Sequence, residues 1–182
     1  MKNLESEIIE TSYGIFECLK NDKYFYKCLK RGEMFHPKIL EWIISSIDEE
    51  TVFIDIGANI GMYSIPASLN KKGVKVISVE AQPEIARILK NNFSLNKIKN
   101  FKVIEKAATS SQCSLYINSI SGIENENTGD NRVDSSRGDI EIEGQRIDSL
   151  EIDTKVSMIK IDVQGHDYEA LIGCEKIICI GS

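Results

Sequence analysis

Metal chemistry has little to work with in this sequence. It contains two histidines, and none of its five cysteines (Cys18, Cys28, Cys113, Cys174 and Cys179) falls into a CxxC pair, so no zinc set can be assembled from the usual spacings. An odd number of cysteines also fits a disulfide framework poorly, and reduced thiols in a cytosolic protein are the simpler expectation. No apolar run approaches the roughly 20 residues needed to cross a bilayer. The opening MKNLESEIIE places acids where a secretory leader carries its apolar core. Basic charge is short as well, with a formal net charge of -6. A protein that grips a phosphate backbone needs a basic face, so nucleic acid is not an expected partner. These absences describe a soluble, cytoplasmic chain with no membrane span and no resident metal.

What is present amounts to one domain. The 182 residues are 42% hydrophobic and 27% charged, ordinary values for a chain that buries one core, and no internal repeat is visible. Residues 1–36 read as an N-terminal extension, a short hairpin or loose strands whose aromatics (Tyr13, Phe16, Tyr24, Phe25, Tyr26) pack over one end of the main domain, residues 37–182. From Pro37 to Ile47 the apolar residues Ile39, Leu40, Ile43, Ile44 and Ile47 recur at helical spacing, with Trp42 on the flank.

Strand and helix signals then alternate. TVFIDIG (51–57) is a buried strand, 61–69 a helix and VKVISVE (74–80) a second strand. A helix opened by proline covers 83–95, and FKVIEKAA (101–108) is a third strand. CSLYIN (113–118) reads as an added strand or hairpin arm. Residues 118–139 turn rich in Asn, Ser, Gly and Asp, as lids, binding loops and disordered tracts do. IEGQRIDSL leads into a fourth strand, VSMIKIDV (156–163). EALIGCEKII is a helix running into ICIGS. This alternation predicts an α/β fold with a mainly parallel sheet and helices on both faces, with ligands bound at the carboxyl ends of the strands where the strand order reverses.

Three elements converge there. DIGANIG, Asp55 to Gly61, follows a buried strand and opens a helix. Gly57 permits a tight turn and Gly61 a close approach of the helix. The spacing is GxxxG, whereas the loop that cradles a dinucleotide pyrophosphate is GxGxxG, which disfavours a nicotinamide-dependent oxidoreductase. Glu80 closes the next strand about 20 residues on, where an acid can accept both hydroxyls of a ribose. Asp162 closes the fourth strand and either points into the same crevice, to orient the substrate hydroxyl or the amino-acid part of the cofactor, or caps the following helix.

Together FIDIGANIGMYS, SVEAQPEIARILKNNFSLN, the AATS turn and MIKIDVQGHDYEALIGCEKI resemble the FkbM family of methyltransferases, from about Gly32 to the C-terminus. The resemblance implies a Rossmann-like class I methyltransferase sheet. It also implies S-adenosylmethionine (S-adenosyl-L-methionine) as cofactor and O-methylation of a hydroxyl on a sugar, glycan or secondary metabolite. In that setting Asp55, Gly57, Asn59 and Gly61 would cradle the methionine portion and Glu80 the ribose, with Gln82 beside the adenosine. Ala107 would lie near the adenine, and Asp162 would match the acid of the family's KIDVEG-like motif. Gln164 stands where that motif usually has Glu. Methylation of a flipped base is disfavoured, since DVQG lacks the Pro-Pro-aromatic cluster that stacks one.

His166, four residues beyond Asp162, is the candidate base because histidine titrates near pH 6.5; its alternative is a partly exposed residue at a helix start. His36, beside Pro37, reads as structural. The tract 118–139 is the candidate lid. Relative to the family, the last strands are missing. A partner chain could supply them, the chain could be incomplete, or the protein could be a methyltransferase-fold binding module without activity. An open sheet edge at Ile177–Ile180 is expected to pair with another copy.

Overall fold

The computed structural model describes residues 5–120, 129 and 131–180. A hairpin opens the described chain, β1 (Ser6–Thr11) against β2 (Gly14–Leu19), with Ile9 opposite Phe16. Helices α1 (Phe25–Lys30) and α2 (Pro37–Ser46) follow. The central unit is β3 (Val52–Ile56), α3 (Ser64–Asn70), β4 (Lys75–Val79), α4 (Pro83–Leu95) and β5 (Phe101–Ile104). A small sheet comes next, from β6 (Ala107–Ala108), β7 (Cys113–Ile117) and β8 (Ile140–Gln145). The described chain closes with β9 (Val156–Ile161), α5 (Asp167–Ile172) and α6 (Glu175–Ile180).

The main sheet runs β5-β4-β3-β9, with all three neighbouring pairs parallel. β3 is buried at all five positions, which explains why its sequence is apolar almost throughout rather than alternating. Its two faces meet different partners. Phe53 joins Val76, Leu40, Ile43, Ile65, Leu89 and Phe93 in one core, which also takes in Phe16 and Leu19 of the hairpin. Val52, Ile54 and Ile56 face Ile77, Ile147, Ala170 and Cys174 on the other side. The fold is thus an α/β sheet covered on both faces, as the alternating pattern implies.

Two amides, one in α4 and one at its C-cap, bond the hairpin to the core. Asn92, fully buried, accepts from Glu17 N (2.6 Å) and donates to Glu17 O (3.1 Å) and Ile60 O (2.8 Å). One turn on, Asn96 accepts from Ile15 N (2.9 Å) and donates to Ile15 O (2.6 Å). Residues four apart on a helix thereby serve residues two apart on a strand, and two amide side chains stand in for a third strand along β2.

Several expectations change. The aromatic residues Phe25 and Tyr26 lie in a helix, not in loose strands. The helix after the glycine loop starts at Ser64 rather than Gly61. The strand read over 101–108 breaks after Ile104. Glu105 and Lys106 leave the sheet to pair with Lys90 and Glu143, and Ala107 joins β8 instead. Residues 140–145 form a strand of their own, with Ile142 opposite Leu115.

The last helix is two helices. A Cβ at Gly173 would lie 2.3 Å from the Thr109 carbonyl oxygen, and Asp148 accepts from Lys176 N and Ile177 N to start α6 afresh. Ile177–Ile180 therefore belongs to a helix, not to a strand. The open strand edge expected there is replaced by a helix, which removes the ground on which pairing of copies was expected. Of the tract read as a lid, residues 121–128 and 130 lie outside the described residues.

Candidate functional site

All four parallel strands end at one rim, where a cavity of about 410 Å³ opens. Across the rim, in sheet order, β5 leads to Lys106, Ala107 and Ala108, and β4 delivers Val79 to Gln82. β3 delivers Ile56 to Asn59, and β9 delivers Lys160, Asp162, Val163 and Gln164. β3 and β9 flank the point where the strand order reverses, the place such sheets use for ligands.

The glycine loop is built to touch β9. Gly57 has φ 73°, and a Cβ there would sit 1.9 Å from the carbonyl oxygen of Asp162. Its amides are engaged inside the protein. Gly57 N and Ala58 N donate to Val79 O (2.9 and 3.1 Å), Asn59 N to Glu80 Oε2 (2.8 Å), Ile60 N to Asn59 Oδ1 (2.7 Å) and Gly61 N to Ala58 O (2.9 Å). A loop whose five N–H groups all face inward cannot act as an anion nest of the kind that holds a pyrophosphate. Gly61 serves packing instead. It lies away from the cavity, and a Cβ there would meet Leu89 Cδ1 at 2.8 Å.

Asp55 also stands behind the cavity wall. Fully buried, it accepts from the Ser64 hydroxyl (2.6 Å), which contacts the Ser78 hydroxyl (2.8 Å). Its Oδ1 faces Lys160 Nζ at 3.1 Å as an ion pair, outside hydrogen-bond geometry. Lys160, directly opposite Asp55 in the β3–β9 register, is 13% exposed at its side chain. It donates to Gly57 O (2.8 Å) and Ile56 O (3.3 Å) and lies 5.5 Å from the centre of the Tyr63 ring.

Glu80 is the best-oriented acid of the cavity. Its two oxygens accept from Asn59 N (2.8 Å) and Gln82 N (3.0 Å), which fixes the carboxylate plane and leaves lone pairs for two more donors. Burial pushes its pKa above the ordinary glutamate value, against the lowering pull of those two amides and of the Lys160 charge. A carboxyl that holds its proton more tightly when folded contributes stability at low pH, and loses it as pH rises from the ordinary glutamate value through the raised one. Glu80→Gln should therefore flatten the pH dependence of urea unfolding from acid to neutral. Superimposable profiles for the two proteins would contradict the raised pKa.

The other expected residues divide. Gln82 lines the cavity, yet its side chain is committed elsewhere: Oε1 caps α4 by accepting from Glu84 N and Ile85 N, and Nε2 donates to Glu84 and Asn118 O. Ala107 meets Ala81, Ile117 and Val133 at an apolar end of the cavity. Asp162 lines the cavity, exposed, and accepts from the Gln164 amide (3.3 Å). It does not cap the next helix: Asp167 closes that turn, accepting from Val163 N and Gly165 N. Those amides, against the opposing cost of burial, hold the Asp167 carboxyl below its ordinary range. His166 reaches the cavity with a buried Nε2 that has no hydrogen-bond partner among the described residues.

A wall of the cavity that sequence reasoning did not anticipate comes from the N-terminal segment. Tyr24, Phe25, Phe35 and His36 line it. Phe35 packs edge-on against Phe25 (5.3 Å) and against the His36 ring (4.1 Å). Both histidines of the chain thus line one cavity. The His36 φ of 54° is left-handed, a conformation seldom adopted outside glycine. Tyr63 completes the aromatic lining; burial and the neighbouring Asp55 and Asp162 charges push its phenol up to about 12.

A family model described as the Methyltransferase FkbM domain matches residues 55–181. No curated protein matches the chain. Among solved structures, TYW2 of P. horikoshii in complex with MeSAdo is 17% identical over 59% of this chain and 38% of that one, with a TM-score of 0.45. TYW2 of M. jannaschii in complex with AdoMet is 23% identical over 57% and 44%, with a TM-score of 0.44. The tRNA m1G37 methyltransferase of M. jannaschii is 25% identical over 57% and 28%, with a TM-score of 0.41. The matches thus take in less than half the length of each of these proteins.

Proposed function

As the chain belongs to the FkbM methyltransferase family, we propose that it is an S-adenosylmethionine-dependent O-methyltransferase acting on a hydroxyl of a sugar, glycan or secondary metabolite. The observation that carries this reading is the pairing of Glu80 with the glycine loop. A carboxylate with free lone pairs is held by Asn59 N and Gln82 N beside a loop that has no free amide to offer a phosphate. That combination suits a nucleoside without a pyrophosphate.

The remaining residues fit the same cofactor. The apolar end at Ala81, Ala107, Ile117 and Val133 offers a slot for a flat base. Gln82 contributes there through its backbone, since its side chain caps α4. Glu80 takes the ribose hydroxyls, and Gly57 to Asn59 with Asp162 line the space for the methionine portion. Asp55 and Gly61 shape that space from behind. Acids and aromatic faces together favour a ligand that carries positive charge, as a sulfonium does.

When bound, S-adenosylmethionine supplies an activated methyl group for in-line displacement. The protein's task is to align a hydroxyl and remove its proton. His166 is the candidate for the second role: it lines the cavity, and its buried Nε2 has no hydrogen-bond partner among the described residues to hold it from that task. His166→Ala should lower turnover roughly 100-fold or more, the usual worth of a positioned base, without weakening cofactor binding. Unchanged turnover would remove it from the mechanism. The net charge of -6 favours a small hydroxyl acceptor over nucleic acid. Release of S-adenosylhomocysteine should depend on adding an acceptor from a panel of monosaccharides, phenols and hydroxy acids. Cofactor binding with no release on any of them would favour a binding module instead.

A further inference from the structure

Lys160 offers a function that the site as described leaves unassigned. It is a cation in a strand otherwise apolar from Val156 to Ile161, apart from Ser157, and the residue lines the cavity. A charge so largely withdrawn from water requires compensation. Asp55 supplies part of it at 3.1 Å, and the carbonyls of Ile56 and Gly57 take two of its hydrogens. Asp55 Oδ1 receives no hydrogen bond, so the third ammonium hydrogen is not directed at that atom.

The sheet order says which part of a ligand Lys160 faces. If the base lies over Ala107 and the ribose at Glu80, the rest of the ligand extends from β4 toward β3 and β9. An amino-acid tail carries one cation and one anion. Asp162 is the exposed acid at that end. The anion has fewer partners, because the amides of residues 57 to 61 are all engaged within the protein. The other lysine of the cavity, Lys106, lies at the opposite end of the sheet and pairs with Glu143 at 2.7 Å.

We propose that Lys160 is the residue that binds the α-carboxylate of the cofactor's amino-acid tail. The proposal rests on the cofactor reading above and assigns one residue within it. The same ammonium holds the Ile56 and Gly57 carbonyls, so loss of the lysine also touches the loop, and the test separates the two roles. Calorimetry compares S-adenosylmethionine with its decarboxylated form, which keeps the base, ribose, sulfonium and amine.

The wild-type chain should prefer the carboxylated form by roughly 10- to 100-fold, the usual worth of a hydrogen bond to a charged group. Lys160→Met should abolish that preference, any loss through the loop falling equally on both ligands, and Lys160→Arg should retain part of it. Equal wild-type affinities for the two ligands would overturn the proposal. So would a Lys160→Met protein in which both ligands weaken together with the preference intact, which would make Lys160 a loop-positioning residue only. If Lys160→Met does not fold, the wild-type preference and its partial retention in Lys160→Arg decide the matter. Binding of neither ligand by the folded wild type would instead be a failure of the cofactor reading itself.

Discussion

Gly57→Ala should abolish cofactor binding and destabilise the fold by about 3 kcal/mol or more, the combined scale of a strained left-handed residue and a forced overpacking. Two independent penalties meet at this residue. Its φ is 73°, which a Cβ disfavours, and the Cβ would lie 1.9 Å from the backbone oxygen of Asp162. That neighbour is main chain, hydrogen-bonded through Asp162 N to Ile56 O at 3.1 Å, so it cannot rotate away as a side chain could. Either β9 moves off β3 or the loop reorganises, and both alternatives alter the floor of the cavity. Gly165→Ala is the matched control. Its φ is 92°, but nothing lies within 4 Å of the added carbon, so only the conformational cost of about 1 kcal/mol applies. Urea unfolding of the two variants reads the difference, and equal losses would show that the contact with Asp162 is yielding.

Asp55→Ala should cost about 3–5 kcal/mol, the range for removing one partner of a buried ion pair. The carboxylate is fully buried, and its loss would leave the Lys160 ammonium, itself mostly buried, without its anion. The Ser64 hydroxyl would lose its 2.6 Å acceptor at the same time. Because the penalty arises from the orphaned charge, removing both ions should be milder than removing one. The double variant Asp55→Ala/Lys160→Met is expected to recover about 2 kcal/mol of the single variant's loss. A single-variant loss below about 1 kcal/mol would indicate that water screens the pair as it does surface ion pairs.

How much of this was readable beforehand depends on whether a signal is local. β3 declares itself because a strand buried on both faces must be apolar along its length. α4 is bounded as expected at Pro83 and Leu95, since Gln82 and Pro83 form a local start signal. The rim residues Gly57, Glu80 and Asp162 follow from strand ends, which local patterns locate. β8 had a usable pattern in the alternation Ile140-Glu141-Ile142-Glu143, obscured by the polar tract before it.

Other features are set by tertiary contacts. The break after Ile104 depends on ion pairs with distant residues, and the split between α5 and α6 on a close approach to Thr109. The aromatic wall at Tyr24, Phe25, Phe35 and His36 requires the N-terminal segment to return to the cavity, which no local spacing encodes. Lys160 did leave a trace: a lone cation in an apolar strand must find a partner. Asp55 and Gly61 show the converse. They belong to the motif, yet they act through Ser64, Lys160 and Leu89 rather than at the cavity surface.

Calorimetric titration of the purified chain with S-adenosylmethionine, with NAD as the comparison, tests the central claim most directly. The account predicts saturable 1:1 binding of S-adenosylmethionine and none of NAD, because the glycine loop has no free amide to hold a pyrophosphate. Binding of NAD in preference to S-adenosylmethionine, or of neither by the folded chain, would contradict it.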